Sequence, residues 1–317
     1  MRRKILLMTV LAILWALCVD AQNHGPLQPG SAGYSPSSWG TQLFEPENGA
    51  LEKSAYTNKY FDLSFPLPAD WREDYQGPPP SATGYYVLEG LRPKGELNGT
   101  VLIAAQDTFF LPSQIDKSMD LLKWREKQAV ASTLKVEAAP NETRIGNYGF
   151  TRLDYSGAGL YHAIFATDVR CHVITFEVTT RDRGVLEKLT RNMNNLLLPA
   201  IPNPAAGGGP FPRCVKDYAT GANVLHRVDP VQTGPRFTKV PVRIIIDKQG
   251  KVKHVHVINA FPEQARSVQD ALAQWRFKPY LENGRPAEIE TGVLFEFSQK
   301  PKTQEHREDK GTTRTKS

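Results

Sequence analysis

At 317 residues, with 40% hydrophobic and 23% charged residues, the chain can bury the cores of two average domains with segments to spare. Its formal charge of +6 falls to +4 without Arg2, Arg3, Lys4 and Asp20, and the tail from Gln299, with six Lys or Arg against three acids, carries +3 of that. The folded part is near neutral, which excludes a basic nucleic-acid-binding face, and no second apolar run approaches membrane-spanning length.

The chain opens with Arg2, Arg3 and Lys4, then fifteen largely apolar residues from Ile5 to Val19, then Val19-Asp20-Ala21. A positive start, a short apolar run and small residues before a cut are the grammar of a secretory signal over residues 1–21, giving a periplasmic or secreted protein. An uncleaved inner-membrane anchor is the alternative. A lipoprotein signal at Cys18 is weaker, because Leu17 sits where a small residue is needed. Residues 22–53, rich in Gly, Pro, Ser and Asn, read as disordered.

From Tyr56 the texture becomes periodic. Lys59 to Phe65 alternates as a strand, and Gly84 to Leu91 and Thr100 to Gln106 read as two more. Ser113 to Ala131 reads as a helix capped by Ser113, with Ile115, Met119, Leu122, Glu126 and Val130 along one side. Phe150 to Tyr155, Leu160 to Thr167 and Cys171 to Thr179 form an antiparallel meander, and Arg183 to Leu198 closes the block as a helix. Residues 54–198 are therefore expected to be an α+β domain, an antiparallel sheet with flanking helices. Residues 199–215, with repeated prolines around Gly207–Gly209, read as a hinge-like linker. With the signal removed, Cys171 and Cys214 remain, and an even pair in an exported chain suggests a disulfide worth about 4 kcal/mol in the chain-entropy estimate. Two separate buried thiols are the alternative.

Residues 216–299 make the second folded unit. Val240 to Ile246 and Val252 to Ile258 alternate around Asp247-Lys-Gln-Gly250, a tight hairpin. Glu263 to Trp275 is an amphipathic helix with Ala265, Val268, Leu272 and Trp275 on one face. Asn283-Gly284 turns the chain into a closing strand to Phe297, giving the order ββαβ. Residues 300–317 read as a disordered basic tail.

The Asp-x-x-Gly-x-Val hairpin, the helix ending Ala-Leu-x-x-Trp-Arg-Phe-x-Pro, the Asn-Gly-x-Pro turn and the apolar last strand, over about 238–298, resemble the TonB C-terminal domain family. Tyr-Thr-Asn-Lys-Tyr-Phe-Asp-Leu-Ser-Phe with Leu-Pro-Ala-Asp-Trp71 gives residues 56–198 a looser resemblance to PsbP-like domains. The first resemblance implies a periplasmic module that receives a peptide, from an outer-membrane receptor in true family members, by strand addition along an edge. The candidate edge is the closing strand, with Ile289, Thr291, Val293, Leu294, Phe295 and Phe297. Three departures argue against a full energy transducer. Asp229-Pro-Val-Gln-Thr-Gly-Pro-Arg replaces the usual Tyr-Pro-x-x-Ala, no long Pro/Lys/Glu spacer is present, and Ile5 to Val19 holds no His or acid for coupling to a proton-driven motor.

Searching for chemistry yields little. His254 and His256 share one face of a strand without a third ligand, and read as a solvated face. His162 and the adjacent Cys171 and His172 lack the third group that orients a nucleophile. Trp71, Trp124 and Trp275 read as core. No catalytic motif, cofactor or metal site is expected. The expectation is a non-enzymatic periplasmic adaptor that binds an envelope protein or peptide. A TonB-type energy transducer, and a small-ligand binder or enzyme using a cleft lined by His162 and Asp154, are the alternatives.

Overall fold

The computed structural model describes residues 37–40, 45–47, 49–52, 54–67, 71–75, 80–94, 99–198, 211–231 and 237–297. The expected signal, most of the linker and the basic tail lie outside these residues, so the following statements concern the described residues. The segment expected to be disordered, 22–53, contains two strands, β1 (Ser37–Gly40) and β2 (Gly49–Glu52). Its short runs find partners elsewhere in the fold, which local composition does not reveal.

β2 pairs with β3 (Ala55–Asn58), and β3 with β4 (Leu63–Pro66). The single strand expected over Lys59–Phe65 is therefore a hairpin. Asn58 Oδ1 accepts from the Phe61 N–H at 3.1 Å, and Asp62 turns the chain with φ 50°. Next come β5 (Trp71–Tyr75), β6 (Tyr85–Pro93), β7 (Gly99–Asp107), β8 (Lys135–Ile145), β9 (Tyr148–Gly157), β10 (Leu160–Val169) and β11 (His172–Thr180). They form an antiparallel sheet in the order β5-β6-β7-β11-β10-β9-β8. Much of β8 is exposed and breaks alternation, which hides it from sequence reading.

Helix α1 (Ser118–Ala131) covers one face of this sheet, packing Leu121, Leu122 and Ala129 with Leu153, Tyr155 and Ile164. It starts five residues later than expected, because Asp168 at the end of β10 accepts from Ser118 N at 2.8 Å and Oγ at 2.9 Å. A cap from a distant strand displaces Ser113. The buried face also differs: Val130 is 61% exposed. Helix α2 (Arg183–Asn192), capped by Asp182, covers the other face with Leu186 and Leu189. It ends before Met193–Asn195, a 3-10 turn, so Leu196 and Leu198 reach the core on extended backbone.

The C-terminal block contains β12 (Arg213–Cys214), β13 (Val224–His226), β14 (Lys239–Ile246), β15 (Val252–Val257), α3 (Pro262–Leu272), β16 (Arg276–Phe277), β17 (Leu281–Glu282), β18 (Arg285–Pro286) and β19 (Ile289–Glu296). Its main sheet runs β1-β15-β14-β19-β12. Val242, Ile244, Val255, Ile289, Val293 and Phe295 face α3, where Ala265, Val268 and Leu272 meet Trp275. The helix stops three residues short of the expected Trp275, whose indole N–H donates to Val228 O at 2.7 Å.

The opposite face of this sheet is buried too, because the N-terminal block sits on it. Ile258 joins the N-terminal core, and Asn259 Nδ2 donates to Pro80 O at 2.9 Å. Gly292 permits the close approach: a Cβ there would lie 2.6 Å from Phe109 Cβ. At the centre, Arg243 of β14 is 2% exposed and donates to Asp107 Oδ2 at 2.7 Å and Glu290 Oε1 at 3.1 Å. A disulfide joins Cys171, in the β10–β11 turn, to Cys214 of β12, 43 residues on.

Removing one partner from a buried ion pair leaves an uncompensated charge. Arg243→Met should therefore destabilise the protein by about 3–5 kcal/mol in urea unfolding. An unchanged midpoint and slope would show that this guanidinium does not hold the two blocks together.

Candidate functional site

The C-terminal sheet has two lateral sides that could meet a partner strand. On the β19 side, Arg213 N donates to Glu288 O and Val215 N to Glu290 O, both at 3.0 Å. Even-numbered residues of β19 therefore turn their peptide groups outward, while Phe297 N bonds inward to Thr238 O at 2.8 Å. β12 pairs with β19 at Ile289 and Glu290 and goes no further. Beyond it, the outward peptide groups of Gly292, Leu294 and Glu296 have no backbone hydrogen bond among the described residues.

The expected edge residues divide accordingly. Ile289, Val293, Phe295 and Phe297 point to the α3 core and are buried, as is Thr291. Leu294, on the opposite face, is 45% exposed. β19 is thus an inner strand over its first two residues and an edge over the rest. What remains available for recognition there is backbone, with Leu294 beside it.

On the other side, β1 pairs antiparallel with β15, from Ser37 opposite Val257 to Gly40 opposite His254. His254 and His256, expected on a solvated face, are each 2% exposed. Glu45 and Glu47, just after β1, cover them. His254 Nε2 lies 3.3 Å from Glu45, and His256 lies 3.0 Å from Glu45 and 3.1 Å from Glu47. The correction is tertiary: five residues after β1, the chain returns with two carboxylates over the ring nitrogens.

Burial alone would lower the His256 pKa, but the charges of Glu47 and Glu45 raise it above its ordinary 6.5. His172 is the opposite case. Burial, reinforced by Arg243, pushes it well below 6.5. Its Nδ1 lies 2.7 Å from Arg170 O, and its Nε2 receives Arg243 Nη1 at 2.6 Å, so the neutral ring protonated on Nδ1 fits both contacts. Arg243 itself is held firmly charged: burial opposes, but Asp107 and Glu290 raise its pKa well above the ordinary arginine value. Burial raises Asp107, with Arg243 counteracting.

In the N-terminal block, a surface cavity of about 180 Å³ is lined by residues including Asp154, Arg152, Tyr161, Arg183 and His162. Strand alternation places the Asp154 and His162 side chains on opposite faces of the sheet. The His162 ring stacks on Tyr155 at 4.6 Å, and its Nδ1 lies 2.9 Å from Thr179 Oγ1 and 3.5 Å from Glu177. Burial pushes Glu177 up, but contacts with His162, the Arg125 charge and the Tyr155 hydrogen bond together hold it below the usual carboxylate range. The two side chains expected to line one cleft therefore do not converge. Trp275 lies in the core of the C-terminal block, whereas Trp71 and Trp124 are partly buried against two separate clusters of the N-terminal block.

Residues 236–298 match the family model described as Gram-negative bacterial TonB protein C-terminal. This TonB-like module is about a fifth of the chain. No curated protein matches the sequence. Among solved structures, cyanobacterial PsbP (CyanoP) from Synechocystis sp. PCC 6803 is similar at 16% identity with a TM-score of 0.34, covering 55% of this chain and 99% of that one. A crystal structure from Bacteroides thetaiotaomicron VPI-5482 is similar at 14% identity with a TM-score of 0.28, covering 44% and 45% of the two chains. Among the described residues, no helix is long and apolar enough to cross a membrane, and no group of three or more His, Cys, Asp or Glu is placed to hold a metal ion.

The two histidines give opposite pH dependences. A base with a raised folded pKa stabilises fully below its unfolded value and loses that contribution as pH rises through the folded value. For His256 the loss lies above pH 6.5, whereas protonating the depressed His172 destabilises the fold below pH 6.5. Unfolding free energy measured from pH 5 to 9 should therefore fall on both sides of neutrality, and Glu47→Gln should flatten the alkaline limb. An alkaline limb unaffected by this variant would exclude the His256–Glu47 pair as its cause.

Proposed function

We propose that the protein is a Gram-negative envelope adaptor whose TonB-like module binds an extended segment of another envelope protein by strand addition at the free part of β19. The functional core is the ββαβ order of β14, β15, α3 and β19, within a unit spanning residues 216–299. The N-terminal unit, residues 54–198, acts as the platform on which that module is fixed. The observation that carries this reading is the outward, unpaired backbone of Gly292, Leu294 and Glu296 beside a half-exposed leucine. Unpaired N–H and C=O groups on a strand edge are a template for a partner strand, and side chains flanking them supply selectivity.

The family match supports a role in protein interaction at the envelope, and outer-membrane receptors are the partner class it favours. The reading is that of a binding protein without cofactor, exported to the periplasm. Rigid docking through Arg243 favours a fixed recognition surface over a module at the end of a spanning tether.

Synthetic peptides from the N-termini of the same cell's outer-membrane receptors provide the test. A binding peptide should slow amide exchange at Gly292, Leu294 and Glu296, and Leu294→Asp should weaken it about tenfold, or about 1.4 kcal/mol. A peptide that binds without protecting these amides, or that ignores Leu294→Asp, would place recognition elsewhere.

A further inference from the structure

We propose that the Cys171–Cys214 disulfide gates the β19 edge: the bridge pins β12 over Ile289 and Glu290, and its reduction releases β12 to lengthen the strand-acceptor site. This inference rests on the strand-addition reading and adds the regulation of that same site.

β12 is a two-residue strand, and its described attachments are few. It donates Arg213 N to Glu288 O, and Val215 N just beyond it donates to Glu290 O. Arg213 pairs with Glu282 at 2.8 Å, both about one-third exposed, and such pairs hold little in water. Lys216 donates to Asp116 at 2.9 Å, with Asp116 59% exposed, and to Pro112 O at 3.3 Å and Ile115 O at 3.5 Å. Phe211 lies under the Arg170 guanidinium at 4.1 Å. Val215, just beyond β12, packs against the C-terminal core, and within β12 itself the covalent bond to Cys171 is the attachment that water and salt do not weaken.

The two cysteines differ in exposure. Cys214 is exposed, whereas Cys171 is 9% exposed. A small dithiol can therefore attack Cys214 Sγ, forming a mixed disulfide and expelling Cys171 Sγ as a thiolate, which takes a proton. The second thiol of the reductant then attacks the mixed disulfide. Two electrons and two protons pass to the protein, leaving two thiols, and the reductant becomes a disulfide. The Cys171 thiol so formed has an acceptor at hand, Glu290 Oε2, 3.8 Å from its sulfur.

The turn that holds Cys171 joins β10 to β11 and does not travel with β12. Arg170 and Cys171 occupy a two-residue hairpin with φ 47° and 63°, left-handed values that non-glycine residues adopt at a cost. The two blocks need not separate when the bridge opens, because Arg243, Asp107, Glu290 and His172 remain buried together. Beyond β12, the chain turns at Asp217, φ 59°, and is held again by Tyr218, whose hydroxyl donates to Lys278 O at 2.7 Å. Movement is confined to residues before that point. Once β12 leaves, the outward groups of Glu288 and Glu290 join those of Gly292, Leu294 and Glu296.

The test uses the full chain with dithiothreitol, and thiol labelling counts the opened bridge. Reduction should raise amide exchange at Arg213 and Val215 at least tenfold while β14 and β15 stay protected. A receptor peptide that protects Gly292, Leu294 and Glu296 should then bind at least fivefold tighter and extend protection to Glu290. Cys214→Ser should reproduce the reduced behaviour without reductant. Protected Arg213 and Val215 amides after complete reduction, or equal peptide binding in the two states, would overturn the gate and leave the edge reading standing. Absence of peptide protection in both states would overturn the edge reading and the gate with it.

Discussion

Arg243 is the residue around which the molecule is arranged. A guanidinium at 2% exposure, on the middle strand of a small sheet, is tolerable only where carboxylates meet it. One of these, Glu290, comes from the neighbouring strand, and the other, Asp107, from the end of a strand in the N-terminal sheet. Neutral His172 takes a further donor position. Glu290 accompanies the guanidinium within its own block, and docking of the two blocks adds the second carboxylate, Asp107. Phe109, whose ring lies 5.2 Å from the guanidinium carbon, adds a π face to the same enclosure.

Docking explains features that a free-standing module would not need. β14 is buried on both faces, so its alternation is lost even though its pleat is ordinary. Gly292 carries no side chain because Phe109 and Phe110 press against that point. His254 and His256 lie under Glu45 and Glu47, so the approach to the N-terminal block doubles as the cover of the sheet. The disulfide adds a covalent tie at the rim, between a turn of one sheet and a lateral strand of the other. Together these contacts leave the outward peptide groups of Gly292, Leu294 and Glu296 without a backbone hydrogen bond among the described residues.

The N-terminal block places its polar interior differently. His162, Glu177, Tyr155 and Thr179 satisfy one another across neighbouring strands, with Tyr155 Oη donating to Glu177 at 2.9 Å. A histidine whose ring is stacked and whose Nδ1 is engaged serves packing and hydrogen-bond satisfaction. The nearby cavity draws its charged lining, Arg152, Asp154 and Arg183, from the opposite face. Proximity of residue numbers thus suggested a site that strand alternation divides.

Patterns that recur within a few residues were legible in the sequence. The Asp247 to Gly250 hairpin, the Asn283-Gly284 turn and the meander from Tyr148 to Thr180 rest on local turn chemistry and alternation, and they stand at the expected places. So does the apolar face of α3, with Ala265, Val268, Leu272 and Trp275 in the core. The Cys171–Cys214 pairing was an open alternative that the structure resolves in favour of a bridge. What tertiary structure decided were the long-range encounters: Asp168 capping α1, β1 crossing to β15, Glu45 and Glu47 burying two histidines, and Arg243 finding Asp107. Periodicity records which side of an element is apolar, because that depends on neighbours three or four residues away. It does not record which distant carboxylate will meet a charge, because such pairs form between residues as far apart as Glu45 and His256, and the chain between them carries no repeating trace of the contact.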